Sequence, residues 1–215
     1  MATEAKELYM YIFSIKYFHG SRDMTEEMNV LMKGECAKIP ELKHFSLYRS
    51  LRGDCDLIGW ASSDFPEALQ NMLEMIKMSI GNRGSIVHAF FSIYQRSPYL
   101  KNSLNIEKQI AESKRKYLIA YPMSKSNDWY LLPYEDKKRI MDEHIKTAMT
   151  DPNNKDILSY TTYCFGLGDQ EFVVIYETDS LYSWMKVTEK LREVEARKWI
   201  VKESPILVGI RAETK

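Results

Sequence analysis

The chain has 215 residues, enough for one large domain or two small ones with a substantial core. Its 30 basic and 30 acidic side chains cancel, which leaves no electrostatic footprint for nucleic acid or an anionic membrane surface. No apolar run approaches the roughly 18 residues of a membrane span, and "MATEAKELYMY" lacks the basic-then-apolar plan of a secretion signal, so a cytoplasmic protein is expected.

In chain order, "ELYMYIFSIKYF" reads as a strand and "MTEEMNVLMKGEC" as a helix with Met28, Leu31 and Met32 on one face. "HFSLYRSL" and "CDLIGWA" read as a strand pair across Arg52-Gly53-Asp54. "DFPEALQNMLEMIKM" is a helix with Pro66 near its start, where a missing N–H costs nothing, and "SIVHAFFSIYQ" returns as a strand. The second half repeats this plan. "KYLIAY" is a strand stopped by Pro122, and "YEDKKRIMDEHIKTAM" a helix. "ILSYTTYCF" and "EFVVIYET" pair across Gly166-Leu167-Gly168-Asp169. "LYSWMKVTEKLREVEARKW" is one long helix and "PILVGIR" closes the unit.

The repeat survives at single positions: Asp54, Asp56, Leu57, Ile58 and Asp64 stand where Asp169, Glu171, Phe172, Val173 and Asp179 stand in the second copy. The pattern is two ferredoxin-like β-α-β-β-α-β units, residues 1–98 and 115–215, joined by a linker at 99–114. Each sheet needs cover on its second face, so the units pack sheet to sheet or close into a barrel.

Cys36, Cys55 and Cys164 are scattered, without a CxxC, and read as packing residues of a reducing compartment. His19, His44 and His88 show no metal-ligand spacing. His144 differs, because it shares a helix stripe with Ile140, Met141 and Ala148 and so points inward. In the long helix after it, Trp184, Thr188, Leu191 and Glu195 share a face. An inward imidazole with a carboxylate for its other nitrogen is how metal-bound histidines are supported, and one axial histidine suffices for haem iron. A satisfied core histidine is the alternative.

The ordered set "YPMSK", "WYLLP", "KKRIMDEH", "FGLGDQEF" and "LREVEAR" resembles the chlorite dismutase-like superfamily, and within it the coproheme decarboxylases of bacterial haem synthesis. The likeness runs over residues 117–211; the first half follows in pattern only. The resemblance implies a dimeric α/β-barrel of two ferredoxin-like repeats, assembled as a homo-oligomer, a pentamer in the family. It implies haem b or coproheme as the iron porphyrin, and hydrogen peroxide as co-substrate. His144 would be the axial iron ligand and Glu195 its supporting carboxylate, although decarboxylases often carry serine there. Tyr121 would be oxidised to a radical that attacks a propionate, and Lys125 would lie beside that propionate. Met123 and Trp129 would border the porphyrin. Ser159 falls where chlorite-degrading members need a distal arginine, which argues against chlorite dismutation, since serine cannot stabilise an anionic oxychlorine ligand as arginine does. The expected activity is oxidative decarboxylation of coproheme to haem b. A haem-binding or haem-transfer protein on the same scaffold is the alternative, and a barrel with no cofactor is the third.

Overall fold

The structure, a computed structural model, describes residues 7–18, 25–95 and 106–212. His19 and residues 99–105 of the expected linker lie outside that set. The first half runs β1 (Leu8–Tyr17), α1 (Thr25–Cys36), β2 (Leu42–Ser50), β3 (Leu57–Ser63), α2 (Pro66–Ile80) and β4 (Gly84–Tyr94). A short helix, α3 (Ile106–Glu112), then crosses the linker. The second half runs β5 (Tyr117–Lys125), α4 (Asn127–Leu131), α5 (Tyr134–Thr150), β6 (Leu158–Tyr163), β7 (Phe172–Thr178), α6 (Leu181–Leu191), β8 (Ile200–Lys202) and β9 (Leu207–Arg211).

The strands hydrogen-bond in the order β7-β6-β4-β1-β3-β2-β9-β5, and β7 pairs again with β5, so the sheet closes into a barrel. Each half contributes its strands in the 4-1-3-2 order of a ferredoxin-like unit, and closure removes the open edges that each sheet would expose alone. Period-two alternation sends one face of every strand inward. Met10, Ile12, Trp60 and Phe90 of the first half there meet Leu118, Ala120, Tyr160 and Ile175 of the second. At the seam, β9 approaches β2 so closely that a Cβ on Gly209 would stand 2.7 Å from that of Tyr48.

One charge is sealed into this interior. Glu177 has no solvent exposure. Its carboxylate accepts hydrogen bonds from Tyr48 Oη at 3.2 Å, Tyr160 Oη at 3.1 Å and Arg211 Nη2 at 2.6 Å. Burial pushes its carboxyl upward, against the pull of these donors. The group ties β7 to β2, β6 and β9.

The two halves differ on their outer, helix-covered faces. In the first, α2 buries Ala68, Leu69, Met72, Leu73, Ile76, Ser79 and Ile80, and packs with Met28 and Met32 of α1 over Phe13 and Ile15. In the second, the 17 residues of α5 bury only Ile140, and α6 buries only Val187. Both second-half helices are amphipathic, and they meet the rest of the protein through two small apolar clusters instead of one large core.

Three local expectations are corrected. Leu31 is exposed, because α1 turns Met28, Met32 and Cys36 onto the sheet instead. Pro122 does not stop its strand. β5 pairs with β9 as far as Ala120 and with β8 from Ser124, so the residue without an N–H falls in the gap between those partners. The long last helix breaks after Leu191. The chain turns and resumes as a 3-10 turn at Glu195–Trp199, which lets Val194 and Ala196 pack against Trp129 and Ile140.

Candidate functional site

Under α5 and α6, the barrel's outer face is built by register. Tyr121 pairs with Val174, Met123 with Phe172 and Ser159 with Tyr176, so these side chains share a face. Ile119, Tyr121 and Val174 form a small cluster with Met123, Tyr176, Val208 and the α6 residues Leu181 and Trp184. A second cluster, Trp129, Ile140, Val194 and Ala196 with Met141, Leu191 and Trp199, closes the α5 side.

Lys125 ends β5 between these clusters. Its ammonium lies 3.5 Å from the centre of the Trp129 ring and 3.9 Å from Met141 Sδ. Indole faces attract cations, so Trp129 holds the amine where it is only half exposed. Burial brings the Lys125 amine down to about 8, with Glu171 pulling the other way. Glu171 also fixes the backbone: its Oε2 accepts the Lys125 N–H at 2.8 Å and the Tyr130 hydroxyl.

His144 is half buried on the inner side of α5. Burial, and then the charge of Lys125, lower its pKa, so at neutral pH the ring is uncharged and carries a free lone pair. Among the described residues, no hydrogen-bond partner engages either nitrogen. Among the described residues Glu195 makes no hydrogen bond to the imidazole, although its N–H donates to Glu143, next to His144 in sequence. The carboxylate lies beyond the end of α6 and is held by Arg139 at 2.8 Å; that pairing lowers its pKa. The helix break explains this placement, since a continuous helix would have carried Glu195 onto the face of Trp184 and Thr188.

Tyr121 is 8% exposed and stacks on Tyr176 with ring centres 6.1 Å apart; Tyr176 in turn lies 4.1 Å from Trp184. Burial keeps the Tyr121 phenol well above its ordinary pKa, reinforced by Tyr176. Burial also raises Tyr176, although the residue still touches solvent. Ser159 is exposed at the outer edge of the same face. Thus Tyr121, Met123, Lys125, Trp129, His144 and Ser159 come together, and Glu195 does not. Tyr176, Glu171 and Tyr130 were not singled out from the sequence. The internal repeat set Glu171 opposite Asp56, and that was the available signal.

The site's chemistry fits an iron porphyrin. Among the described residues no three His, Cys, Asp or Glu side chains form a metal-ligand set, so protein ligation of iron would rest on the one neutral imidazole. The flanking surface is apolar and aromatic. Two buried polar atoms beside it, Thr188 Oγ1 and Trp199 Nε1, have no hydrogen-bond partner, and the carboxylates at a porphyrin's rim are acceptors for both. By contrast, the groove on the outer side of α6, lined by Asp151, Tyr182, Lys186 and Glu193, alternates in charge and is a solvated face.

The family model described as chlorite dismutase matches residues 21–212. The chain belongs to the chlorite dismutase family. The match takes in the first half, where the sequence shows the likeness only as a pattern. A coproheme decarboxylase from Mycolicibacterium smegmatis is 27% identical over 192 residues, covering 88% of this chain and 81% of that protein. The protein TA0507, whose crystal structure carries a provisional chlorite dismutase assignment, is 40% identical with a TM-score of 0.89, covering 97% of this chain and 96% of that one. A heme-binding protein from Thermus thermophilus shares the fold at 16% identity and a TM-score of 0.78, over 96% and 91% of the two chains.

Proposed function

We propose that the protein is a haem-dependent enzyme that uses hydrogen peroxide to decarboxylate coproheme oxidatively to haem b. The observation that carries the reading is that Tyr121, Lys125 and His144 lie under α5 and α6, the imidazole uncharged and without a hydrogen-bond partner among the described residues. The decarboxylase relative supports the substrate class.

In this reading His144 would hold the iron, and Met123, Trp129 and Ser159, on α4 and the outer face of β5 and β6, would border the porphyrin. The bound iron would supply oxidising power once peroxide is added. Each turnover consumes one propionate carboxylate and one peroxide, and yields a vinyl group, carbon dioxide, water and hydroxide. Tyr121 is protonated at neutral pH, and can give up an electron and its proton together to start the loss of carbon dioxide. Lys125 holds the carboxylate and supplies or keeps its proton; with a pKa near 8 it can do either. Ser159 offers no cation to an oxychlorine anion, so chlorite turnover is not expected. The working form is a cytoplasmic homo-oligomer, pentameric as in the family.

A second reading, haem binding or transfer without decarboxylation, draws on Ser159. A serine there leaves peroxide without a strong distal partner. The two separate in one experiment: absorption spectra on adding coproheme, then peroxide, followed by mass analysis of the porphyrin. Loss of carbon dioxide from the porphyrin supports the enzyme; a stable spectrum with unchanged mass supports the carrier.

A further inference from the structure

Three hydroxyls stand in a line across β5, β7 and β6. On the outer face of the barrel Ser159 pairs directly with Tyr176, and Tyr121, which pairs with Val174, is the diagonal neighbour of Tyr176 on its other side. Residues two apart on a strand share a face, so all three side chains project to the same side. The rings of Tyr121 and Tyr176 stack at 6.1 Å with their planes 25° apart. Exposure rises along the line: Tyr121 is buried, Tyr176 half-buried and Ser159 open to solvent.

The middle hydroxyl is engaged from both sides. Burial raises both phenols; beyond that, a hydrogen bond from Tyr121 to Tyr176 raises the first and lowers the second, and Ser159 lowers Tyr176 again from the other flank. A hydroxyl has one donor and two acceptor positions, so Tyr176 can accept from Tyr121 while it donates to Ser159 Oγ. The other neighbours of Tyr121 offer its proton no such route. Val174, Val208 and Leu181 are apolar, and Trp184 only donates. Glu203 and Arg192 act on both phenols through charge, and Glu203 is held by Arg192 and Arg197. The Lys125 amine faces Trp129 and Met141.

We propose that Tyr176 and Ser159 form a proton relay, which carries the proton of Tyr121 to solvent when that phenol is oxidised. The inference rests on the decarboxylase reading and supplies its proton route. The Tyr121 O–H bond breaks; its electron passes to the iron porphyrin oxidised by peroxide, and its proton to Tyr176 Oη. Tyr176 passes its own proton to Ser159 Oγ, and Ser159 passes its own to water. Each relay residue receives one proton and gives one up, so both end unchanged. Serine at position 159 thereby has a use: its hydroxyl both accepts and donates, whereas an arginine there would only donate.

Two measurements test the relay, the first on the full chain without porphyrin. A fluorinated tyrosine is placed at position 121 or at position 176, and its ionisation is followed by fluorine NMR. The pKa at position 121 should fall in Tyr176→Phe. The pKa at position 176 should rise in Tyr121→Phe and in Ser159→Ala, and return toward the parent in Ser159→Thr, which restores a hydroxyl. Thermal unfolding checks that the variants fold. An unchanged pKa at position 121 in Tyr176→Phe would overturn the relay while leaving the porphyrin reading intact. The second measurement is carbon dioxide release from iron coproporphyrin III with peroxide. Tyr176→Phe, which keeps the ring against Trp184, should slow release roughly a hundredfold without abolishing it, the low end of what a positioned proton acceptor contributes. Ser159→Ala should slow it less, because water can stand in at the exposed end. A parent-like rate for Tyr176→Phe would reduce the line to a structural contact and overturn the relay. A parent that binds the porphyrin yet releases no carbon dioxide would remove the decarboxylase reading, and the relay with it, whatever the titrations give.

Discussion

Glu171 Oε2 accepts the backbone N–H of Lys125 at 2.8 Å, as Asp56 Oδ2 accepts the N–H of Tyr17 at 2.8 Å in the first half of the barrel. The two contacts are the same contact. Leu57 and Phe172 hold equivalent places and pair with Ile15 and Met123, which puts Tyr17 and Lys125 at the same step beyond. The first copy uses it to brace a filled core. In the second copy the same brace presents a half-buried amine against Trp129 and Met141, and Tyr130 adds a donor to the carboxylate. A structural contact of the repeat has become support for a candidate catalytic side chain.

Lys125 therefore has a measurable pH signature. Its folded pKa, about 8, lies below the 10.5 of a free lysine. Between those values the unfolded chain binds more protons than the folded one, so stability should rise as the pH rises through that window. Urea unfolding of the parent and of Lys125→Met, which keeps the stem against Trp129, checks this. The difference between them should shrink as pH climbs from about 8 to 10.5. A constant difference would mean that the amine is not held away from water. Glu171→Gln removes the opposing charge and should lower the amine's pKa further, which NMR titration of the lysine reads directly.

The element order was legible because period-two and period-3.6 apolar patterns are local properties of the chain. The break after Leu191 was not, because Val194 continues the apolar spacing of Leu191 and a helix is the local answer. What wins is tertiary: Trp129 and Ile140 offer Val194 and Ala196 a burial that the continuing helix does not reach. The break takes Glu195 off the face of Trp184 and Thr188 that a continuous helix would have given it. The role of Glu171 was hidden because its contact with Lys125 spans 46 residues. The sparse burial of α5, Ile140 alone, was hidden too, since an amphipathic pattern does not say how closely its face is covered.

His144 should show the mirror of its ligand role in the protein without porphyrin. Its pKa is held below the ordinary 6.5 by burial and by Lys125. As the pH falls below 6.5 the unfolded state takes up the proton first, so this residue's contribution to stability is lost on the acid side. His144→Gln should flatten that limb of the stability curve. In the presence of iron coproporphyrin the same variant should lose the five-coordinate spectrum. An unchanged spectrum would remove His144 as the ligand.

Glu177 predicts a stability effect far from the cleft. Glu177→Ala leaves Arg211 without its buried partner and unsatisfies Tyr48 and Tyr160. Breaking a buried ion pair by removing one side costs about 3–5 kcal/mol. Arg211→Met alone should also destabilise, because it leaves the carboxylate charged in the barrel interior. The double variant Glu177→Gln with Arg211→Met should recover part of the loss. Denaturant unfolding reads all three, and a parent-like midpoint for Glu177→Ala would show that the seam does not depend on this group.

Assembly is expected to cover apolar surface that the single chain leaves open. Leu131, Met78 and Met149 are 81%, 80% and 72% exposed. Closed symmetric oligomers are the usual way to bury such groups. Light scattering should give a mass several times the 25.2 kDa of the chain. A monomer at working concentrations would count against the assembly.

Tyr121→Phe separates chemistry from binding. The substitution keeps the ring that stacks on Tyr176 and fills the space beneath Leu181 and Trp184, so no cavity opens. It removes only a hydroxyl, which costs binding about 1 kcal/mol at most if that hydroxyl bonds a propionate. Porphyrin affinity should therefore stay within roughly fivefold of the parent, while peroxide-driven release of carbon dioxide falls to background, because phenylalanine has no proton to lose with its electron. Tyr176→Phe should act differently. It leaves the Tyr121 hydroxyl in place and removes a neighbour that keeps its pKa high, so turnover should persist with a shifted pH profile. Lys125→Ala should slow turnover and leave the oxidisable phenol intact. If Tyr121→Phe decarboxylates at the parent rate, the oxidation starts elsewhere in the cleft, and Tyr176, against both Tyr121 and Trp184, is the next residue to replace.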